Sequence, residues 1–391
     1  MKVGLEVFLT KEYKKYQKDR LGVLCNQASV DKDLQHISDL IRTKPLKLKL
    51  SCFLGPQHGI RGEKQDNMVE SSDFKDPRTG LPVYSLYSET REPTDKMLQN
   101  VDTLVVDLQD IGTRIYTFMY TLANCMRAAK RLGKKVVVLD RPNPINGVDV
   151  EGNLLEENLT SFVGQFPIPV RHGMTMGELA LLFNDAFNIQ CDLDVVQLKG
   201  WKRTHWADDW KRDWVTPSPN IPTAKSCELF PGMVLFEGTN VSEGRGTTKP
   251  FEWIGAPFID ADKLAKEMNQ KKIPGVYFRP IFFQPTFHKG KDQVCGGVQV
   301  HVTHRKKFPA YLAGVHLLHS IAKLHPEGFQ WKQPPYEYET EKMPIDLIAG
   351  TSKLRELVDS HASLKKFEDQ MKEDEKTFRK TQKPYFLYKS K

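Results

Sequence analysis

Four apolar runs, at residues 21–26, 46–54, 101–108 and 135–139, alternate with segments of helical period, and this alternation restricts the fold more than any other feature. Between the first two runs, Leu34, Ile37, Leu40 and Ile41 give residues 31–43 an amphipathic helical spacing, and 116–132 reads as a long helix between the last two. Strands separated by helices pair in parallel through right-handed crossovers, so the chain is expected to build an α/β, doubly wound parallel sheet. A fifth strand is expected at 193–198, and a short one within 81–87. Lys47 and Lys49 suggest that the second strand starts on a wet face near the edge of the sheet.

From the second strand onward, each of the first four runs ends in polar residues: Gln57, His58, Arg61 and Glu63; Asp107, Asp110 and Arg114; Asp140, Arg141 and Asn143. In open α/β sheets, ligands sit outside the carboxyl ends of the strands. A cleft on that rim is the expectation, because a single strand ending in Asp would be no more than a helix cap. Further on, Arg171 and His172 precede a helix at 174–188, where Thr175 and Glu178 have the spacing of a capping box. Four tryptophans within 201–214 suit either a stacking wall for a sugar or packing at a domain seam. A second polar stretch, 237–248, carries Asn240, Glu243 and Arg245 between glycines.

The texture changes near residue 260. A helix at 261–271, apolar strands at 276–283 and 297–303 and a helix at 310–324 form a smaller α+β domain, and the charged helical stretch 345–391 wraps back over the body. The division expected is 1–258 and 259–391, with the second part completing the cleft.

With 57 basic against 49 acidic residues and no basic stripe interleaved with aromatics, nucleic acid is not an expected partner. The six cysteines lie far apart without a CxxC pair, which reads as buried reduced thiols rather than a zinc or redox site. Charged residues occur by Glu6 and Lys11, and no long apolar run follows, so neither a signal peptide nor a membrane segment is read and a cytoplasmic location is expected.

The chemistry these residues can perform is narrower. Two carboxyls flanking a glycosidic bond divide the work of hydrolysis, one protonating the leaving oxygen and the other attacking or activating water. The acidic candidates are Glu63, Asp66, Asp107, Asp110, Asp140 and Glu243; the many arginines suit a substrate that itself carries a carboxylate. Solvated or paired surface charge is the competing reading for any one of them. No G-x-S-x-G elbow, HExxH pair, Walker loop or GxGxxG fingerprint occurs, which disfavours a serine hydrolase, a zinc enzyme and a nucleotide site. Phosphate binding at 237–248 and an aspartate rim holding Mg²⁺ are compatible with the same residues.

Taken together, Gly55-Pro56-Gln57-His58-Gly59-Ile60-Arg61-Gly62, Asp107 through Arg114, Asp140-Arg141-Pro142-Asn143-Pro144, Arg171 through Thr175, Pro217-Ser218-Pro219-Asn220 and Glu237 through Thr248 resemble the exo-β-N-acetylmuramidase family over nearly the whole chain. The resemblance implies a Rossmann-like first domain, an active site in the cleft between the two domains, and removal of N-acetylmuramic acid from the non-reducing end of peptidoglycan fragments with no metal or other cofactor. Its partner is then a muropeptide or a saccharide containing that sugar, not nucleic acid or membrane, and family members are often exported. It implies a sugar pocket drawn from Arg61, Arg114, Asp140, Arg141, Asn143, Arg171, His172, Asn220, Asn240, Glu243 and Arg245. The family pattern reads Gly-Pro-Glu-His-Gly where this chain has Gln57, and an amide cannot cycle a proton at neutral pH. Glu63 on the same loop is the expected substitute, supported by His58 and Asp110. The alternative is a weakened member that binds muramic-acid sugars without turning them over.

Overall fold

The computed structural model describes residues 1–65, 70 and 72–389, so Asp66 lies outside the described residues. A seven-stranded sheet is formed by β1 (Arg20–Cys25), β2 (Lys49–Gly55), β3 (Phe74–Lys75), β4 (Pro82–Ser85), β5 (Thr103–Asp107), β6 (Lys135–Leu139) and β7 (Asp192–Val196) in the order β3-β4-β2-β1-β5-β6-β7. All pairs are parallel except the short β3–β4 ribbon at one edge. The doubly wound α/β expectation therefore holds. The chain builds outward from β1 on one side through β2 and β4, then returns to β5 and builds outward on the other. β2 is third from the edge rather than beside it. Its lysines are accommodated because Lys47 precedes the strand and Lys49 opens it, before the buried part begins.

Strand alternation sends side chains to two faces. Val23, Val105 and Val137 join one apolar cluster, covered by helices Gly4–Thr10 and Ile37–Thr43; their neighbours Leu24, Leu104, Val106, Val136 and Val138 join another, covered by helices Phe118–Arg131 and Met176–Asp185. The helix expected at 31–43 begins only at Ile37. Asp31 Oδ1 accepts from the amides of Asp33 and Gln35, and Leu34 has a φ of 60°, so a side-chain turn occupies the first residues.

The second cluster continues without a break into the smaller domain. There β8 (Trp253–Ala256), β10 (Cys295–Val302) and β9 (Val276–Phe283) form an antiparallel sheet in the order β8-β10-β9, backed by helices Ala261–Gln270 and Ala310–Leu324. The long helix Lys365–Gln382 then runs back over residues 151–154, where Asp374 and Glu375 accept from the backbone amides of Leu154 and Gly152. No described helix is long and apolar enough to cross a membrane. All six cysteines are buried free thiols.

Candidate active site

The loop after β2 turns through a φ of 72° at His58 and drops Gln57 into a cleft roofed by the smaller domain. From the sheet side, the walls are Gln57, His58 and residues 115–118, with Ser218, Asn220 and Ile221 alongside. From the other side come Glu237, Arg245, Phe251, Tyr336 and Glu337. The polar residues among these are almost all buried, so their hydrogen bonds define the chemistry.

The Gln57 amide is bonded at both ends. Its Oε1 accepts from Thr117 Oγ1 at 2.8 Å, and its Nε2 donates to the Tyr87 hydroxyl at 3.0 Å and to Glu337 Oε1 at 3.2 Å. The Tyr87 hydroxyl in turn donates to Glu337 Oε2 at 2.6 Å. Burial raises the Glu337 carboxyl to about 6, against the lowering effect of the Tyr87 and Gln57 bonds and with nearby Glu237 adding to the rise. Glu237 is held differently, by Arg245 Nη2 at 2.6 Å and by the Tyr336 hydroxyl at 2.8 Å. Behind Arg245 lies Glu243, whose burial opposes its charge but which Lys289, Arg245 and His288 together hold down at about 2.

Of the residues expected from sequence, Gln57, His58, Asn220 and Arg245 line this cleft. His58 Nδ1 also bonds the Lys64 carbonyl at 2.8 Å, and Asn220 Nδ2 the Gln65 carbonyl at 3.0 Å. Glu243 sits one step behind. Glu63 is exposed, with its carboxylate folded over Gly59 of the same loop, and is not among the lining residues; Arg61 is exposed and in an ion pair with Asp76. Asp110 and His172 meet each other instead: the ring Nδ1 accepts from the Met174 amide, which leaves the proton on Nε2, 3.5 Å from Asp110 Oδ2.

The remaining candidates are engaged in holding loops. Arg141 makes a two-pronged pair with Asp107 at 2.6 and 2.9 Å. Arg171 bonds Glu151, Asp149 and the Ile145 carbonyl, while Asn143 bonds the Met174 carbonyl and the Ile145 amide. Asp140 accepts from Thr175, the Gly177 amide and Tyr388, and Thr175 and Glu178 form the expected capping box. Asn240 pairs with the backbone of Gly328 and Gln330. Arg114 is wholly buried and donates to the carbonyls of Asn153, Ile168, Ile348 and Ala349. The four tryptophans of 201–214 pack away from the cleft, Trp201 against Tyr388 and Trp210 against Trp214.

Sequence reasoning did not single out Glu337, Tyr336, Tyr87, Thr117 or Glu237. One signal was present, the Tyr-Glu-Tyr-Glu alternation directly after Pro334-Pro335, in which acids and aromatics recur in a stretch too short for a core strand. Among the described residues, no group of three or more His, Cys, Asp and Glu side chains is arranged to hold a metal ion.

A doubly wound sheet whose carboxyl rim is roofed by a second domain, with buried carboxyls and an arginine facing the gap, is the architecture of an α/β enzyme acting on a small polar substrate. Residues 21–225 match the model of the N-terminal domain of exo-β-N-acetylmuramidase NamZ, and residues 228–388 match that of its C-terminal domain. The chain belongs to this family of glycosidases. It is 43% identical over 388 residues to the peptidoglycan β-N-acetylmuramidase NamZ of Bacillus subtilis (strain 168), covering 99% of this chain and 91% of that one. Two crystal structures of DUF1343 family proteins from Bacteroides fragilis NCTC 9343 are similar throughout. One has a TM-score of 0.90 at 35% identity, covering 99% of both chains; the other has a TM-score of 0.77 at 27% identity, covering 100% of this chain and 99% of that one.

Proposed function

We propose that the protein is an exo-acting glycoside hydrolase that releases N-acetylmuramic acid from the non-reducing end of peptidoglycan fragments. The family match over both domains supports hydrolysis of peptidoglycan sugar. The observation that carries the finer reading is the cleft itself, where the buried Glu237, Arg245 and Glu337 face Gln57, His58 and Asn220. Buried hydroxyl, amide and carboxyl groups of this kind suit the polar groups of a terminal sugar, and N-acetylmuramic acid is the sugar that the family match supports. His58 and Asn220 are the contacts we assign to the sugar, with Arg245 held between Glu237 and Glu243 at the wall of the cleft.

Incubation with a MurNAc-GlcNAc disaccharide tests this by the appearance of free N-acetylmuramic acid, with the natural protein and Gln57→Glu assayed side by side. Turnover by the natural protein is the expected result. Gln57 itself favours a second reading, a protein that retains the pocket and binds muramic-acid sugars without cleaving them. Saturable binding of the disaccharide with turnover only in Gln57→Glu is the outcome that would select it.

A further inference from the structure

We propose that Glu337 is the proton donor of this glycosidase, taking the part that the amide of Gln57 cannot play; the inference rests on the reading above. Its first support is backbone geometry. Residues 336–339 form a two-residue reversal, closed by Tyr336 N to Glu339 O at 2.9 Å and Glu339 N to Tyr336 O at 3.0 Å, with φ of 46° at Glu337 and 70° at Tyr338. Positive φ at both central positions is the signature of turns normally filled by Asn-Gly, because a side chain there is strained. Here the positions hold Glu and Tyr. Strain of this kind persists where the surroundings over-determine the conformation, and it concentrates at functional sites.

The second support is where the turn puts the carboxyl. Glu337 lines the cleft and is 3% exposed, and it touches Gln57, whose amide holds no transferable proton at neutral pH. The groups facing it are Tyr87, Gln57 and the Arg91 guanidinium, which stacks on Tyr87 and Tyr338, together with Tyr336, Glu237 and Arg245. Its raised carboxyl then fits an acid that stays protonated into the mildly acidic range.

In the step this implies, Glu337 gives its proton to the glycosidic oxygen as the C1–O bond breaks, and the bonding pair leaves with the alcohol. The carboxylate left behind accepts from Gln57 Nε2 and Tyr87 Oη. Water then supplies hydroxide to C1, and its remaining proton restores the acid. Glu237, paired with Arg245 in the same cleft, is the second carboxyl that such hydrolysis uses.

The test compares natural protein and Glu337→Gln on the MurNAc-GlcNAc disaccharide and on a dinitrophenyl β-muramide, whose leaving group departs without protonation. The expected result is a fall in kcat/KM of about a hundred- to ten-thousandfold on the disaccharide and far less on the aryl substrate, with loss of the basic limb of the pH profile. Equal loss on both substrates at an unchanged melting temperature, or retained activity on the disaccharide, overturns the assignment. If Glu337→Gln does not fold, Tyr87→Phe decides: removing a donor to the carboxylate should move the basic limb of the natural profile upward, and an unmoved limb refutes the role. A natural protein inactive on both substrates defeats the underlying function, and this role with it.

Discussion

At the scale of single residues, the contact between Gln57 and Glu337 is the most informative in the molecule. Replacing Gln57 by Glu would set a second carboxyl about as close as the 3.2 Å contact now seen, and two carboxyls at that distance share a proton rather than both ionising. Gln57→Glu is therefore expected to remain active with the basic limb of its pH–rate profile shifted upward, measurable in the same disaccharide assay. The neighbourhood of Gln57 was legible because a strand followed by a glycine-rich polar loop has a local pattern. Glu337 was not, since its partners Gln57 and Tyr87 lie 280 and 250 positions away and no local pattern encodes that meeting. The arginines show the converse. Their abundance suggested an acid-binding pocket, but charge counts carry no information on pairing, and Arg141 and Arg171 are taken by carboxylates and carbonyls of their own domain.

At the scale of elements, most strands and long helices were readable from period alone, and the departures have local causes. Helix Ala224–Met233 contains Pro231, which argues against a helix in sequence, and tertiary packing of the buried Leu229, Phe230 and Met233 overrides it. The Thr175 cap was readable, though its second task was not: its hydroxyl both accepts from the Glu178 amide and donates to Asp140. Thr175→Ala should lower the stability by about 1–2 kcal/mol in a denaturant titration. Arg114 joins loops of the sheet domain to the end of helix Pro344–Ala349, and Gly350 follows at a φ of 74° with no room for a Cβ, which would lie 2.5 Å from Arg114 Nη2. Arg114→Met strands four buried carbonyls, and a loss of about 3 kcal/mol or more is expected in the same titration.

For the whole molecule, pH dependence follows from carboxyls that burial pushes upward. Asp140 and Glu375 are each raised to about 7 and Glu337 to about 6, so the folded state holds their protons more tightly than the unfolded chain. Their stabilising contribution is complete below the unfolded carboxylate range and is lost as pH climbs through about 6–7. Glu243, held at about 2, acts oppositely and loses its contribution only in strong acid. Scanning calorimetry should therefore find a lower melting temperature at about pH 8 than at about pH 5.

The carboxyls beneath the sheet rim also depend on residues far downstream. Asp140 receives the Tyr388 hydroxyl and Glu178 receives the Leu387 amide, partners 248 and 209 positions further along the chain. During synthesis from the N-terminus, the sheet would emerge with both acids lacking these donors. Until residues 387 and 388 follow, Asp140 keeps only the donors Thr175 and Gly177, and Glu178 only Arg203 and the Thr175 amide, so the last turn of the chain seals the base of the first domain.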